Sequence, residues 1–229
     1  GQTLLADLPI KELSEAPKYR LKGIASQEQI DRQKLIWSTI LIPQSDPQKI
    51  LIDLLSSPNI GSRHSIFQQY DHQVQTNTVV GPGESDSAII RIKGTQKAIA
   101  VSIDGNGRYC YLDPFRGGQI VVAEVCRNLS CSGAEPLALT DCLNFGDPQR
   151  PDVYFQLEQA IKGMARACRI LEVPVVSGNV SLYNESRGQA IYPTPIVGGL
   201  GLVNDANQTM KTGFTEEGHK VFLIGSTSL

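Results

Sequence analysis

The stretch "DVYFQLEQAIKGMARACRIL", residues 152–171, is the clearest amphipathic helix in the sequence, and "VPVV", residues 173–176, follows it as a predicted buried strand. Apolar residues recur at helical spacing in the first segment, whereas the second is a short run of valines around a proline. A helix that passes directly into an apolar strand is typical of α/β domains, in which helices pack against a sheet.

The segments on either side continue this alternation of strands and helices. Two β-branched runs form a predicted hairpin around "GTQK", residues 94–97, and Gly133 is placed to end the helix that precedes it. The further predicted elements are strands over 88–93, 98–103, 136–141 and 195–203 and helices over 66–71 and 118–131. The pattern predicts one α/β domain that begins near residue 63.

The first 62 residues differ from that domain, because they are polar and interrupted by prolines. They contain one predicted helix, which Ser45 caps and which has Pro47 in its first turn and an apolar face over 50–55. The helix ends at "PNIG", residues 58–61. We interpret this region as a linker with a docking helix. At the other end of the chain, "KVFLIG", residues 220–225, is predicted to begin a strand.

Composition excludes several functional classes. The chain has 229 residues, a net charge of -2, 41% hydrophobic and 19% charged residues, which is typical of a globular protein with a sizeable core. Such a charge gives no general attraction to nucleic acid or to an anionic membrane surface. No apolar run reaches the roughly 18 residues that span a bilayer. We therefore expect no nucleic-acid partner and no membrane partner.

The N-terminus and the cysteines indicate the cellular compartment. The segment "GQTLLADLP" has neither the basic nor the apolar region of a signal peptide, and it lacks an initiator methionine, so we expect a cytoplasmic piece of a longer protein. The five cysteines are odd in number and form no C-x-x-C pair. We expect them to be reduced core thiols.

Three stretches carry residues suited to ligand binding. In "SIDGNGRYCYLDPFRGG", residues 102–118, Gly117 and Gly118 lead into a predicted helix, where backbone N–H groups favour anions. An ordinary glycine-bearing connection is the alternative. In "LALTDCLNFGDP", Asp141 ends a predicted strand, where a carboxylate is costly unless it is paired or bound. A turn or cap at Asp141 is the alternative.

The third stretch is "VPVVSGNVSLYNE", residues 173–185, in which a predicted strand turns to small neutral residues. Gly178 allows backbone to approach a ligand, Asn179 offers an amide oxygen and Ser181 a hydroxyl. An asparagine oxygen, phosphate oxygens and water can together complete a magnesium shell. An asparagine-containing turn is the alternative.

The sequence offers no catalytic constellation of its own. His64, His72 and His219 are unclustered, and no nucleophile elbow, Walker A or Rossmann glycine pattern is present. We predict no catalytic residue within this chain.

Taken together, the stretches resemble one family: the large, synthetase subunit of phosphoribosylformylglycinamidine synthase. The resemblance covers roughly residues 63–211 in order and register. It rests on the segments "QYDHQVQTNT" (69–78), "YLDPFRGG" (111–118), "CSGAEPLALTDCLNFG" (131–146) and "VVSGNVSLYN" (175–184).

The resemblance implies a fold and a place in a longer enzyme. The fold is the α/β (α+β) N-terminal-type domain of the aminoimidazole ribonucleotide synthetase-like ATP-binding superfamily, with a mixed sheet packed with helices. The family's enzyme looks like two copies of a two-domain unit, and 63–211 resembles the first domain of the second copy. Residues 1–62 then look like the tail of the preceding domain plus a linker, and 212–229 like the start of the following domain.

The resemblance also implies an activity. Enzymes of this family convert formylglycinamide ribonucleotide (FGAR), ATP and ammonia from glutamine into the amidine, ADP and phosphate, with Mg²⁺ bound. Asp141 and Gly178 match positions that contact ATP, Asn179 matches a magnesium ligand, and Ser181 matches a contact to the ribonucleotide. Gly117 and Gly118 are weaker candidates. The implied partners are a glutaminase subunit or domain and the first-copy domains.

Two departures limit what this piece can do by itself. The wider superfamily carries a metal-binding Asp where this sequence has Asn128, which favours a structural role there. The family's catalytic histidine belongs to the first copy, so we expect no turnover from the fragment. Equivalent domains pack strand against strand in this family, and the hairpin over 88–103 would be left uncovered. We therefore expect the isolated fragment to form a homodimer.

Two other interpretations remain. One is another ATP-dependent member of the superfamily, of the selenophosphate-forming or hydrogenase-maturation type. The continuous "LDPFRGG" and "TDCLNFG" segments argue against it. The other is a non-catalytic domain that binds nucleotide as a scaffold, which Asn128 and the missing histidine favour for the fragment alone.

Overall fold

The structure, a computed structural model, describes residues 3–15, 18–34 and 44–225. Its centre is a six-stranded mixed sheet. The strands are β1 (Thr78–Val80), β2 (Ala88–Arg91), β3 (Ala98–Asp104), β4 (Glu135–Asn144), β5 (Val175–Ser181) and β8 (Thr194–Val203). Their spatial order is β1-β2-β3-β8-β4-β5, with β4 and β5 parallel and the other pairs antiparallel. The short strands β6 (Glu185–Ser186) and β7 (Gln189–Ala190) form a separate hairpin.

Two long helices cover one face of this sheet. They are α6 (Pro114–Cys131) and α7 (Pro151–Leu171), and α5 (Gly107–Leu112) precedes α6. The core lies between these helices and the sheet, where buried valines of α6 meet Leu139, Leu143 and Val197. The predicted α/β fold, a mixed sheet packed with helices, is confirmed. None of the helices in the described part of the chain is long and apolar enough to cross a membrane.

The opposite face of the sheet carries no covering layer within the described residues. Most of the side chains that β2, β3 and β8 turn toward it are apolar, and Ile90, Val101 and Leu200 are exposed there. Ile103 is 73% exposed. We call this surface the open face. The predicted hairpin is confirmed, and the uncovered surface extends beyond it onto β8.

Several predicted boundaries are wrong. The helix expected from 118 begins at Pro114, whose ring suits the first turn of a helix. Asp113 caps this helix, because its Oδ1 accepts a hydrogen bond from the Arg116 N–H at 3.0 Å. It ends at Cys131, and Gly133, with a φ of +91°, follows in the left-handed conformation, as predicted. The strand expected to end at Asp141 continues to Asn144, since both its neighbours pair with it that far.

The strand expected over 173–176 is also different. β5 begins at Val175 and continues through Ser181, so the small neutral residues lie within the strand rather than in a turn after it. It was predicted to be buried, but it is the edge strand of the sheet and is exposed along nearly its whole length. Its outer backbone groups are therefore accessible.

The N-terminal region contains more helix than predicted. The helices are α1 (Ile10–Ser14), α2 (Gln27–Gln33), α3 (Pro47–Ser56) and α4 (His64–Phe67). The helix expected to dock, α3, has no buried residue, and its cap is Asp46 rather than Ser45, because the Asp46 carboxylate accepts from the Gln48 N–H at 3.1 Å. The helix expected over 66–71 is the single turn α4.

The helix that does dock is α2. Gln29 is 1% exposed and donates through Nε2 to the Leu112 carbonyl at 2.9 Å. Arg32 donates to the Tyr111 carbonyl at 3.1 Å, and its guanidinium lies 3.8 Å from the centroid of the Tyr111 ring. A backbone carbonyl at the end of α5 thus accepts a hydrogen bond from the N-terminal region, which fixes α2 to the domain.

The C-terminal segment also differs from the prediction. Residues 220–225, expected to begin a strand, form no strand and are exposed. By contrast, the segment before them is held to the domain: Ser85 donates to the Met210 carbonyl at 2.8 Å, and the Thr212 N–H donates to the Glu84 carbonyl at 3.1 Å.

All five cysteines are free thiols, as predicted. Cys110 and Cys126 are buried, and burial raises the pKa of Cys110 to about 12, with a smaller contribution from Asp113. Cys131 is exposed, so the expectation that every cysteine lies in the core is wrong at that position.

Candidate functional site

The residues singled out from two distant stretches meet on the paired strands β4 and β5. Asp141 lies opposite Gly178 in the parallel register, Cys142 opposite Asn179, and Asn144 opposite Ser181. Strand pairing therefore brings Asp141 together with all three candidates of the later stretch. They lie toward the carboxyl ends of both strands, where α/β proteins commonly place ligands.

The side chains of these residues divide between the two faces of the sheet. Successive residues of a strand point to opposite faces. Asp141 and Gly178 share the helix-covered face with buried Leu139 and Leu143, whereas Asn179 and Ser181 share the open face. The two pairs lie on opposite sides of the same strand edge.

An irregularity in β5 produces this division. Leu139 pairs with Val175, but Thr140 pairs with Ser177, so Val176 is an extra residue that the register skips. Such a bulge shifts every later side chain to the other face. Without it, Asn179 would point toward α7.

Asp141 lies in an apolar cleft of about 350 Å³ between the sheet edge and α7. Within the described residues, no group donates a hydrogen bond to its carboxylate, and no cation pairs with it. Burial accordingly raises the pKa of Asp141 above its ordinary value. The other lining residues are Ile161, Met164, Ala165, Cys168 and Val175. A lone carboxylate between apolar walls suits a ligand that has an apolar body and a hydrogen-bond donor.

Gly178 packs directly against the Asp141 carboxylate. A Cβ on Gly178 would lie 1.9 Å from Oδ1 of Asp141 and 3.2 Å from the Asp141 carbonyl oxygen. Any larger residue at 178 would displace the Asp141 side chain. The absence of a side chain at Gly178 therefore permits close packing against Asp141.

The position of Asp141 predicts a pH-dependent effect on stability. Because its pKa is raised in the folded state, the ionised carboxylate costs stability above that pKa, and the cost disappears as the pH falls through it. We expect Asp141→Asn to raise the unfolding temperature at pH 7 by about 2 °C, a small gain because the group is partly solvated. The difference should close toward pH 4. Thermal unfolding between pH 4 and 8 measures this.

Asp53→Asn, on the exposed helix α3, is the matched control and should leave the melting curve unchanged at every pH. If Asp141→Asn lowered the unfolding temperature at neutral pH, the carboxylate would have a stabilising partner, and its description as an unpaired, half-buried acid would be wrong.

Asn179 and Ser181 belong to a row of neutral polar side chains on the open face. We call Thr140, Cys142 and Asn144 of β4 with Ser177, Asn179 and Ser181 of β5 the polar ladder. Ser177 donates to the Thr140 hydroxyl at 2.8 Å, and Asn179 Nδ2 lies 3.6 Å from Cys142 Sγ. Ser181 donates to Asn184 Oδ1 at 3.3 Å, and Asn184 Nδ2 donates back to the Ser181 carbonyl at 2.8 Å.

The polar ladder adjoins the apolar part of the open face. A trough of about 290 Å³ lies where they meet, because Gly198 of β8 has no side chain to fill it on this face. Val101 and Leu200 line its apolar side, and Thr140 and Ser177 its polar side. A partner that covered the apolar strands would therefore close over the polar ladder as well.

The side chains on the open face supply only part of the oxygen ligands that a magnesium ion needs. In the described portion of the chain, no group of three or more His, Cys, Asp or Glu side chains is arranged to hold a metal. Oδ1 of Asn179 accepts no hydrogen bond from any described residue, so one neutral oxygen ligand is available on the open face. One such ligand suits a hydrated magnesium ion that is held mainly by phosphate oxygens. It does not suffice for a site built from protein ligands alone.

Gly117 and Gly118 are placed differently from the prediction. They lie inside α6, not before it, and both are buried. A Cβ on Gly117 would lie 2.5 Å from Cys110 Sγ, and one on Gly118 would lie 2.3 Å from the Ala160 carbonyl oxygen. Packing of α6 against α5 and α7 accounts for both glycines without a ligand.

Asn128 and the histidines have contacts of their own. Asn128 donates through Nδ2 to Asp104 at 3.3 Å, which joins α6 to the end of β3 and accords with a structural role. His64, His72 and His219 are exposed, and none of them belongs to a metal-binding group within the described residues. His72 contacts the Tyr70 carbonyl, and His219 lies 3.4 Å from Glu216.

Sequence reasoning missed five polar residues beside the candidates: Thr140, Cys142, Asn144, Ser177 and Asn184. The signal was present as alternation. In "LTDCLN" and "VVSGNVS" every second residue is polar and neutral over the last part of each strand. That pattern predicts a half-polar face once the strands are known to pair.

Comparison with known families supports the fold. Residues 84–203, more than half of the chain, match the family described as "AIR synthase related protein, N-terminal domain". Among curated proteins, the chain is 48% identical over 227 residues to phosphoribosylformylglycinamidine synthase subunit PurL of Moorella thermoacetica. That match covers 98% of this chain and 30% of the relative, so the chain spans about a third of the length of the curated relatives it resembles.

Solved structures give the same result. The structure of PurLQS from Thermotoga maritima superposes with a TM-score of 0.68 at 30% identity, over 93% of this chain and 32% of that one. T. maritima PurL complexed with ATP gives a TM-score of 0.61 at 29% identity, over 90% of this chain and 31% of that one. T. maritima PurL complexed with FGAR gives a TM-score of 0.57 at 39% identity, over 64% of this chain and 23% of that one.

Proposed function

Since this chain belongs to the AIR synthase related protein family, we propose that it is part of the synthetase subunit of phosphoribosylformylglycinamidine synthase. The observation that carries the proposal is identity of 48% to a PurL subunit over 98% of the chain. We infer that residues 63–211 form one half of an ATP and ribonucleotide site, that 1–62 join it to a preceding domain and that 212–229 begin the next domain.

The proposed reaction forms a C–N bond at the expense of ATP. The amide oxygen of FGAR attacks the γ-phosphorus, ADP leaves, and an iminophosphate results. Ammonia then adds to the activated carbon, and phosphate leaves with the former amide oxygen. Ammonia comes from glutamine through a glutaminase subunit or domain. Most of the catalytic effect in such transfers comes from positioning and electrostatic stabilisation.

Each candidate residue has a proposed role. Asp141 accepts a hydrogen bond from ATP in the cleft beside α7, and Gly178 keeps the carboxylate in place there. On the open face, Asn179 is a magnesium ligand and Ser181 contacts the ribonucleotide. Magnesium, when bound, would neutralise triphosphate charge during transfer. Ser181 is well placed for its role, because two hydrogen bonds with Asn184 hold it at the strand end.

The division between faces is compatible with one site because β5 is an edge strand. Its residues are exposed on both faces and along the free edge, so one extended nucleotide can contact Gly178 from one side and Asn179 from the other. Adjacent residues of a strand are about 3.3 Å apart along its axis, less than the length of a triphosphate.

The open face provides the proposed contact to partners. Its apolar strands require a covering layer, and in the complete protein we propose that the corresponding first-copy domain supplies it, together with the catalytic histidine. In the isolated fragment a second copy would take that place. We place the enzyme in the cytoplasm, where purine biosynthesis supplies its substrate.

The experiment uses the full-length enzyme with ammonia in place of glutamine. We expect Asn179→Ala to lower kcat/KM for ATP about 100-fold and Ser181→Ala to raise the KM for FGAR about tenfold, the loss of one hydrogen bond. Lys162→Ala, on the exposed side of α7, is the control and should behave as the wild type.

Wild-type kinetics in both site variants would contradict the proposal. Residues 1–229 alone should show no turnover. If the fragment binds ATP with magnesium but the full-length enzyme forms no amidine, the scaffold interpretation is correct. Among the described residues, the structural contact of Asn128 to Asp104 is the observation that favours that second candidate.

A further inference from the structure

The thiol of Cys142 lies at the centre of the polar ladder. Its Sγ is 3.6 Å from Nδ2 of Asn179, directly across the strand pair, and 3.7 Å from Nδ2 of Asn144 on its own strand. Thiol sulfur is a weak hydrogen-bond acceptor, and both distances suit N–H···S contacts. The side chain is half-buried. Two amide groups therefore direct their N–H ends at the same sulfur.

The two asparagines depend on this sulfur to different degrees. Asn144 Nδ2 also donates to the carbonyl oxygens of Cys142, at 3.0 Å, and Thr194, at 3.2 Å. Two carbonyl acceptors fix that amide without the thiol. For Asn179, in the part of the chain that the structure describes, Cys142 Sγ is the single hydrogen-bond partner of the side-chain amide.

The orientation of the Asn179 amide decides what it offers to a ligand. Its nitrogen and oxygen lie on opposite sides of a planar group, and they exchange places if the group turns over. With nitrogen held against Cys142, oxygen points away from β4 and is available to a cation. With oxygen held there, the amide would present N–H groups, which repel a cation.

We propose that Cys142 is a positioning residue that holds the Asn179 amide with its oxygen toward the metal–nucleotide complex. This inference rests on the proposed function, because it assigns Asn179 to the magnesium shell. Cys142 neither binds the ion nor reacts. It acts through Asn179, by accepting a hydrogen bond from Nδ2 in the productive orientation of the amide.

The test measures binding of Mn²⁺·ATP to the full-length protein by electron paramagnetic resonance, alongside the magnesium dependence of ammonia-driven activity. We expect Cys142→Ala to weaken Mn²⁺·ATP binding about fivefold, the effect of one weak hydrogen bond. Cys142→Ser keeps an acceptor and should stay within twofold of the wild type. Cys131→Ser, at the exposed end of α6, is the matched control and should have no effect.

A double-mutant cycle separates positioning from a general structural effect. If Cys142 acts through Asn179, adding Cys142→Ala to Asn179→Ala should cause no further loss of Mn²⁺·ATP affinity. An additive loss would overturn the inference, because a purely structural role of the thiol would affect both backgrounds equally.

The remaining outcomes distinguish this inference from the proposed function. If Asn179→Ala weakens Mn²⁺·ATP binding and Cys142→Ala does not, the inference is wrong and the assignment of Asn179 stands. If Asn179→Ala has no effect, its assignment to the metal fails, and the role of Cys142 fails with it.

Discussion

Replacing Gly163 by alanine is expected to lower the free energy of unfolding by about 3 kcal/mol, because α7 contacts α6 backbone to backbone at this glycine. A Cβ on Gly163 would lie 2.0 Å from the Phe115 carbonyl oxygen and 2.9 Å from its carbon. Neither atom belongs to a flexible side chain, so the helices themselves would have to separate. Overpacking of this kind costs about 1–3 kcal/mol and more where backbone must move. The better helix propensity of alanine offsets only about 1 kcal/mol.

Urea unfolding followed by circular dichroism measures this effect. Gly213→Ala is the control, since no atom lies within 4 Å of a Cβ there, and it should change the free energy by less than about 0.5 kcal/mol. A loss below about 1 kcal/mol for Gly163→Ala would mean that α6 and α7 adjust easily. Gly118 faces the Ala160 carbonyl of α7 at the same crossing, so its alanine variant should behave like that of Gly163.

This crossing explains why the beginning of α6 was misjudged from the sequence. Glycines at 117 and 118 are poor helix formers, and local propensity favours a loop there. The two glycines are needed because α5 and α7 approach α6 so closely that only glycine fits at these positions. The contact to Ala160 joins residues 42 positions apart, which no local pattern displays. The cue that was available is Pro114 after Asp113, a common way to begin a helix.

Elements with strong periodicity were predictable. α7 and the β2–β3 hairpin follow from apolar spacing and a turn sequence within the segment itself, and both were found where expected. The docking helix was not predictable in this way. Its contact depends on Gln29, a polar residue that is buried because it satisfies a distant carbonyl at Leu112. Hydrophobic patterning does not indicate such a residue.

The candidate site was predictable as a set of residues but not as a geometry. Predicted strand ends and the resemblance to the synthetase family indicated Asp141 and the small residues of β5, and strand pairing does bring them together. Which face each side chain occupies depends on the bulge at Val176, and a bulge leaves no mark in the pattern of valines around it. The exposure of β5 likewise depends on its place at the sheet edge, which is a property of topology.

The second large effect that we expect concerns dimerisation of the fragment through the open face. We expect residues 1–229 to sediment as a dimer at micromolar concentration, because apolar side chains of three adjacent strands are otherwise left in water. Ile103→Glu should convert this dimer to a monomer. The Ile103 side chain is 73% exposed on this surface, near the end of β3, and a glutamate there would be buried without a partner on association.

The expected change is a weakening of the dimer by at least about 100-fold, which corresponds to about 3 kcal/mol. Ile170→Glu is the matched control, because Ile170 is also exposed but lies on α7, on the far side of the sheet, and it should leave the dimer intact. Sedimentation velocity over a concentration series distinguishes these outcomes. A wild-type fragment that is monomeric at micromolar concentration would show that the open face tolerates water. The polar ladder would then lack the covering partner that its place beside this surface predicts.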